Sequence, residues 1–201
     1  MFLLIIPSDY DNPQLRGGSW LKHLDISYNA LLSVPESALQ ASLQTLQTLR
    51  LLQVQISARQ VEAVMEGLTG GHSLQALELH GLSLDSLQPA LFGEALCNVK
   101  SVVLHNTFGY NVTPAQLQSL FSRAVGNNKT KLRSFHLLLG DLSDLDLPLL
   151  ASFILSEIQV RFTDCTLSEP QYQYFSQRGR INITHNFGSI ESSVHLDNYM
   201  K

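Results

Sequence analysis

Cysteine is scarce. Cys97 and Cys165 are the only two in 201 residues, too few for the disulfide framework on which small secreted folds depend. Charge is scarce as well: thirteen basic against seventeen acidic side chains leave a net charge of -4. Without a basic excess the chain has no bulk electrostatic hold on a phosphate backbone, so nucleic acid is not an expected partner. Long hydrophobic runs are missing, since no segment reaches the roughly twenty apolar residues needed to span a bilayer. The opening Met1-Phe2-Leu3-Leu4-Ile5-Ile6 is stopped by Pro7, Ser8 and Asp9. That is short of the roughly seven to fifteen residues of a signal-peptide core, and no basic residue precedes it. The expectation is a cytoplasmic chain with no membrane partner. Against it stand three glycosylation sequons, Asn111-Val112-Thr113, Asn128-Lys129-Thr130 and Asn182-Ile183-Thr184, which point to a secreted or surface ectodomain.

Catalytic motifs are missing too. Gly67-Leu68-Thr69-Gly70-Gly71 lacks the Lys-Ser/Thr that completes a phosphate-cradling loop, and it reads as a helix stop. There is no HExxH, no nucleophile elbow and no CxxC. No catalytic, cofactor-binding or metal site is expected, and the chain is not expected to be an enzyme. At 44% hydrophobic and 15% charged it has ample apolar material for a folded core.

What is present is a recurring frame of eleven residues, LxxLxLxxNxL, first seen as Leu21, Leu24, Ile26, Asn29 and Leu31. It returns at Leu46, Leu74, Val99 and Leu132, and in weaker form at Glu157 and Arg178, giving units of 25, 28, 25, 33, 25 and 21 residues. A fainter copy opens the chain at Leu4 and Ile6. Apolar residues at the fourth and sixth positions point to one side of an extended segment, so each frame predicts a short strand with one buried face. Helix signals lie between frames: Ser57 before Ala58-Arg59-Gln60 with Gly70-Gly71 as the stop, Thr113-Pro114 ending at Gly126, and Ser168-Glu169-Pro170-Gln171 ending at Gly179. Ser33 before Pro35 and Asp146 before Pro148 are weaker versions. Units of one strand and one helix cannot bury their apolar faces alone and must stack on their neighbours. The expectation is an α/β solenoid, a curved horseshoe with parallel strands on the concave side and helices on the convex side.

The frame, the helix-bearing unit length and the Asn or Cys at the ninth position resemble leucine-rich repeats of the ribonuclease-inhibitor-like class, found also in NACHT-type receptors and F-box adaptors. The resemblance covers residues 21–186 in about seven units, leaving 1–20 as an N-terminal cap or truncated repeat and 187–201 as a C-terminal tail. Only Asn29, Cys165 and Asn186 keep the ninth residue, while Val54, Leu82, Thr107 and Gly140 do not, so no continuous ladder of side-chain bonds between turns is expected. The resemblance implies a non-catalytic protein-interaction module, or alternatively the regulatory or sensing segment of a larger NACHT-type or adaptor protein.

The second, third, fifth, seventh and eighth frame positions are expected on the concave face. The fifth runs Asp25, Arg50, Glu78, Val103, His136, Arg161 and Asn182, and the seventh runs Ser27, Leu52, His80, His105, Leu138, Thr163 and Thr184. Neighbouring strands lie about 4.8 Å apart, so His80 and His105 are expected side by side with His136 one strand further on. Three histidines on successive strands invite a metal or a pH-sensitive contact, although exposed strand positions also accept a polar ring without either. The same face is expected to show Tyr28, Leu52, Leu138 and Leu139 beside Arg50, Arg133 and Arg161, the mixture of apolar anchors and arginine that partner-binding surfaces use. The candidate protein-binding residues are Tyr28, Arg50, Leu52, Glu78, His80, His105, His136 and Arg161. The loop from His105 to Asn111, with Phe108 and Tyr110, is a second candidate.

Overall fold

The computed structural model describes residues 21–107, 112–126, 130–177, 181–183 and 194–197. Strands and helices alternate: β1 His23–Asp25, α1 Glu36–Leu43, β2 Thr48–Leu52, α2 Ala58–Thr69, β3 Ala76–His80, α3 Pro89–Cys97, β4 Ser101–His105, α4 Pro114–Gly126, β5 Ser134–Leu138, α5 Leu147–Ile154, β6 Gln159–Cys165 and α6 Glu169–Ser176. Two short strands follow, β7 Ile181–Ile183 and β8 Val194–Asp197. The architecture is α/β: β1 to β6 form a parallel sheet in which each strand pairs with the next in sequence.

The pairing holds the frame in register. Leu49 lies opposite Leu77, Leu77 opposite Val102, Val102 opposite Phe135, and Phe135 opposite Val160. All five are buried, as are Leu51, Leu79, Leu104, Leu137 and Phe162 in the parallel row two residues on. The helices supply the other half of the same core through Val64, Leu68, Phe92, Leu96, Leu117, Phe121 and Phe153. Where units four to six meet, aromatics fill the space: Phe121 stacks on Phe153 with ring centroids 3.9 Å apart, and Phe135 meets both edge-on at 5.7 Å. Large rings in offset or edge contact bury the most area per residue.

Helix starts follow the capping chemistry. Ser57 and Thr113 accept from the backbone N–H of Gln60 and Gln116, whose side-chain oxygens accept from the N–H of Ser57 and Thr113 in return. Asp146 caps α5 by accepting from Leu149 N–H, and Ser168 N–H donates to Gln171 Oε1. α1 starts without a side-chain cap, on Pro35.

The three glutamines do more than cap. Each is buried and sends its Nε2 into the loop of the preceding unit: Gln60 to the carbonyls of Leu31 and Val34, Gln116 to Leu84 and Leu87, Gln171 to Leu142 and Leu145. Buried carbonyls in a turn need such a donor.

Strand ends share a second device. The eighth frame residue takes a left-handed backbone in five units, with φ of 59° at Tyr28, 48° at Gln53, 58° at Gly81, 55° at Leu139 and 52° at Asp164. Only Gly81 does so without the cost of roughly 1 to 2 kcal/mol that a Cβ imposes there. The fourth unit departs: its eighth residue, Asn106, is buried, accepts from Val112 N–H and donates to Leu139 O.

The C-terminal end differs from expectation. The seventh strand was expected parallel beside β6. Instead β8, from residues expected as a tail, pairs antiparallel with β6 and β7 pairs antiparallel with β8, so the sheet ends in the order β6-β8-β7. A frame reports which residues face inward and not which strand lies alongside. The expected unit at Leu4 and Ile6, the cap at 1–20 and Asn186 lie outside the described residues.

Candidate functional site

Alternate residues of β1 to β6 point away from the helices, and their exposure shows that no described element covers this face completely: Asp25, Arg50 and Arg161 are exposed, and Glu78, Val103 and His136 are half-buried. The fifth-position row reads Asp25, Arg50, Glu78 across β1 to β3 and Val103, His136, Arg161 across β4 to β6. The seventh-position row reads Leu52, His80, His105, Leu138, Thr163. Across β1 to β6 both rows stand as the frame places them, whereas Asn182, expected beside Arg161, lies on β7 opposite His195 and Thr184 lies outside the described residues.

Charge is paired along the first row and then turns into the second. Arg50 lies 3.6 Å from Asp25 and 3.2 Å from Glu78, and the second carboxylate oxygen of Glu78 lies 2.8 Å from His80 Nε2. His80 Nδ1 is 3.1 Å from His105 Nδ1, with the rings edge to face at 4.7 Å. Five side chains on four strands thus form one chain of contacts. Hydrogen bonds from the hydroxyl and N–H of Ser27 hold the Asp25 carboxyl below its usual range, with Arg50 contributing less. Burial lowers the His80 pKa, against the opposing pull of Glu78 and with a further push from His105. The ring sits between Leu52 and the second imidazole, which explains the desolvation.

His136 does not join this pair. It belongs to the fifth-position row, opposite Val103 and Arg161, and its Nε2 lies 2.9 Å from Thr163 Oγ1. The histidines thus stand as the frame lists them, His80 and His105 side by side in the seventh-position row and His136 one strand further on in the fifth. Tyr28 is 69% exposed and Leu139 48%, both at left-handed turns past the strand ends, where the backbone throws the side chain outward. Leu52 and Leu138 are only half-buried neighbours of the histidines. Arg133 is exposed, and its guanidinium folds back on the carbonyls of Thr130 and Leu132.

Short side chains shape the face. Thr48, Ala76 and Ser101 stand beside the longer Arg50 and Glu78, and the dip they leave is a depression of about 430 Å³ extending to His23, Asp25 and Val103. The frame already carried this signal, because the third position reads His23, Thr48, Ala76, Ser101 and Ser134. His23 Nδ1 lies 2.7 Å from Thr48 Oγ1 at its edge.

Neither protein-family models nor curated proteins give a match to this chain. Its own residues carry the functional reading. The cysteines are buried and free: burial raises the Cys97 thiol and pushes Cys165 up to about 12, so both stay protonated near neutral pH. Cys165 also has structural partners in the preceding unit, accepting from Gly140 N–H and donating to Leu137 O. Among the described residues no helix is long and apolar enough to cross a membrane. Phe108, Tyr110, Asn111 and Asn128 lie outside the described residues; Asn182 lies in β7.

Proposed function

We propose that this chain is a leucine-rich-repeat solenoid of the ribonuclease-inhibitor-like class, cytoplasmic and non-catalytic, which binds a protein partner across the concave face of its sheet. The observation that carries this reading is the open face itself. Six parallel strands pair in sequence order, and the described helices pack against one face of their sheet. The other side offers a row of ion-paired charges, a histidine pair and a depression of about 430 Å³. Stacked units expose a broad surface suited to a protein, and exposed Tyr28 with Arg50 and Arg161 are residue types that anchor such contacts.

The test is affinity capture from the source cells by three immobilised forms: wild type, a face variant carrying Tyr28→Ala, Arg50→Ala and Arg161→Ala, and a helix-side variant carrying Arg59→Ala, Glu62→Ala and Glu66→Ala. A partner held by wild type and the helix-side variant and lost from the face variant supports the reading. A partner lost from the helix-side variant and kept by the face variant moves the interface to the convex side.

A further inference from the structure

We propose that His80 and His105 together bind one divalent transition-metal cation of the zinc class through their Nδ1 atoms. The geometry is specific. Paired at the same level of β3 and β4, the two imidazoles bring Nδ1 to within 3.1 Å of Nδ1. Two nitrogens held at tetrahedral positions on zinc, with Zn–N of about 2.05 Å, are about 3.3 Å apart. A small ring rotation opens the observed pair to that separation, and the cation then takes the place of the shared hydrogen.

Glu78 supplies the second half of the argument. Its Oε1 lies 2.8 Å from His80 Nε2, close but out of line for a hydrogen bond in this structure; a carboxylate at that distance favours the tautomer with the proton on Nε2, which leaves the Nδ1 lone pair free to bind. A carboxylate on the far nitrogen is the arrangement that orients metal-bound imidazoles and raises their basicity. With that tautomer, His105 Nδ1 is the donor in the 3.1 Å contact with His80 Nδ1. On binding, His105 moves its proton to Nε2, and no net proton leaves the protein. Neutral imidazole is the required ligand form, and burial of His80 between Leu52 and His105 favours it.

Ligand type selects the cation: two imidazoles suit zinc, copper or nickel and not the oxygen-seeking magnesium or calcium. Among the described residues no group of three His, Cys, Asp or Glu side chains converges on one point. The site is therefore an open one, with two positions held by protein and the others by water on the same face where the proposed partner docks. It does not depend on that docking.

Zinc chloride titrated into the full chain at pH 7.5 in a calorimeter, with the imidazole signals followed by NMR, tests the proposal. One zinc per chain is expected at micromolar affinity, with the ring resonances of His80 and His105 shifting together and those of His23 and His136 unmoved. His80→Gln and His105→Gln should each weaken binding at least tenfold, and Glu78→Gln by about 10- to 100-fold, while magnesium gives no heat. Absence of heat at 100 µM zinc, or unchanged affinity in both histidine variants, overturns the proposal. Circular-dichroism melts of each variant confirm that the fold is intact.

Discussion

Replacing Gln116 by methionine should cost this chain a large share of its stability, although the site is far from the open face. Gln116 is fully buried; its Nε2 donates to Leu84 O at 2.6 Å and Leu87 O at 3.0 Å, and its Oε1 accepts from Thr113 N–H at 2.9 Å. Methionine matches glutamine in length, flexibility and helix propensity, so the substitution removes the polar atoms and little else. Leu84 O keeps a bond from Leu87 N–H. Leu87 O and the N–H of Thr113 lose the partners they have. At roughly 1 to 3 kcal/mol for each stranded group, the expected loss is about 2 to 6 kcal/mol. Whole domains are stable by only about 5 to 15 kcal/mol. Urea denaturation followed by circular dichroism measures the change, with Gln118→Met, an exposed position on the same helix, as the control. If Gln116→Met unfolds within 0.5 kcal/mol of the Gln118→Met protein, the glutamine is not the tie between units that its contacts describe.

Gly93→Ala should destabilise by about 1 to 3 kcal/mol in a thermal melt, reversing the gain of up to about 1 kcal/mol that alanine brings to an ordinary helix. Its new Cβ would sit 2.9 Å from the Ser119 carbonyl carbon, against backbone that cannot step aside. Gly67→Ala meets a movable Leu43 Cδ1 instead and should be tolerated better. Stability should also fall with acid through His72, whose pKa burial and Lys131 lower from 6.5 while its Nδ1 accepts from Leu74 N–H. The folded pKa lies below the unfolded one, so the contribution is complete above pH 6.5 and is lost as pH falls below it. The decline in urea midpoint between pH 7.5 and 5.5 should be shallower in His72→Gln, by under about 1 kcal/mol for a half-buried ring; identical pH profiles would remove His72 from the account.

The fold was legible where burial repeats with a fixed spacing. Leu49 and Leu51, Leu77 and Leu79, Val102 and Leu104 show the strand period directly, and Ser57, Thr113 and Ser168 mark helix starts because a hydroxyl or amide must satisfy the first N–H groups. The sequence did not reveal that the strand order breaks after β6. Ile181 and Ile183 keep the apolar alternation, yet β7 sits outside β8. Nor did it show that Asn106 would turn inward one residue early, because the left-handed residue that sets the other turns is a backbone choice made by tyrosine, glutamine, leucine and aspartate alike. Of the site, the rows were legible and the contacts were not. Alternation puts His80 and His105 on adjacent strands, but only the register and the rotamers bring Nδ1 to Nδ1 and Glu78 to the far nitrogen.

The glutamines show what a single frame conceals. Ser57-x-x-Gln60, Thr113-x-x-Gln116 and Ser168-x-x-Gln171 occur in the second, fourth and sixth units, whereas α1, α3 and α5 start at Pro35, Gln88 and Asp146 with no glutamine three residues on. Each glutamine fastens its own helix to the loop of the unit before it, so units are joined as one with two, three with four, and five with six. Helix contacts follow the same division for the first two pairs and not for the third. In a stacked array, stability is a sum of unit terms and interface terms, and here alternate interfaces carry an extra pair of buried hydrogen bonds. The His80–His105 contact falls inside a fastened pair, on β3 and β4, while the Arg50–Glu78 ion pair crosses the unfastened junction between β2 and β3. That junction keeps its backbone sheet bonds and the hydrogen bond from the Ser73 hydroxyl to Gln44 O but has no buried glutamine tie, so a change at Arg50 reaches the histidine pair only through the Glu78 carboxylate.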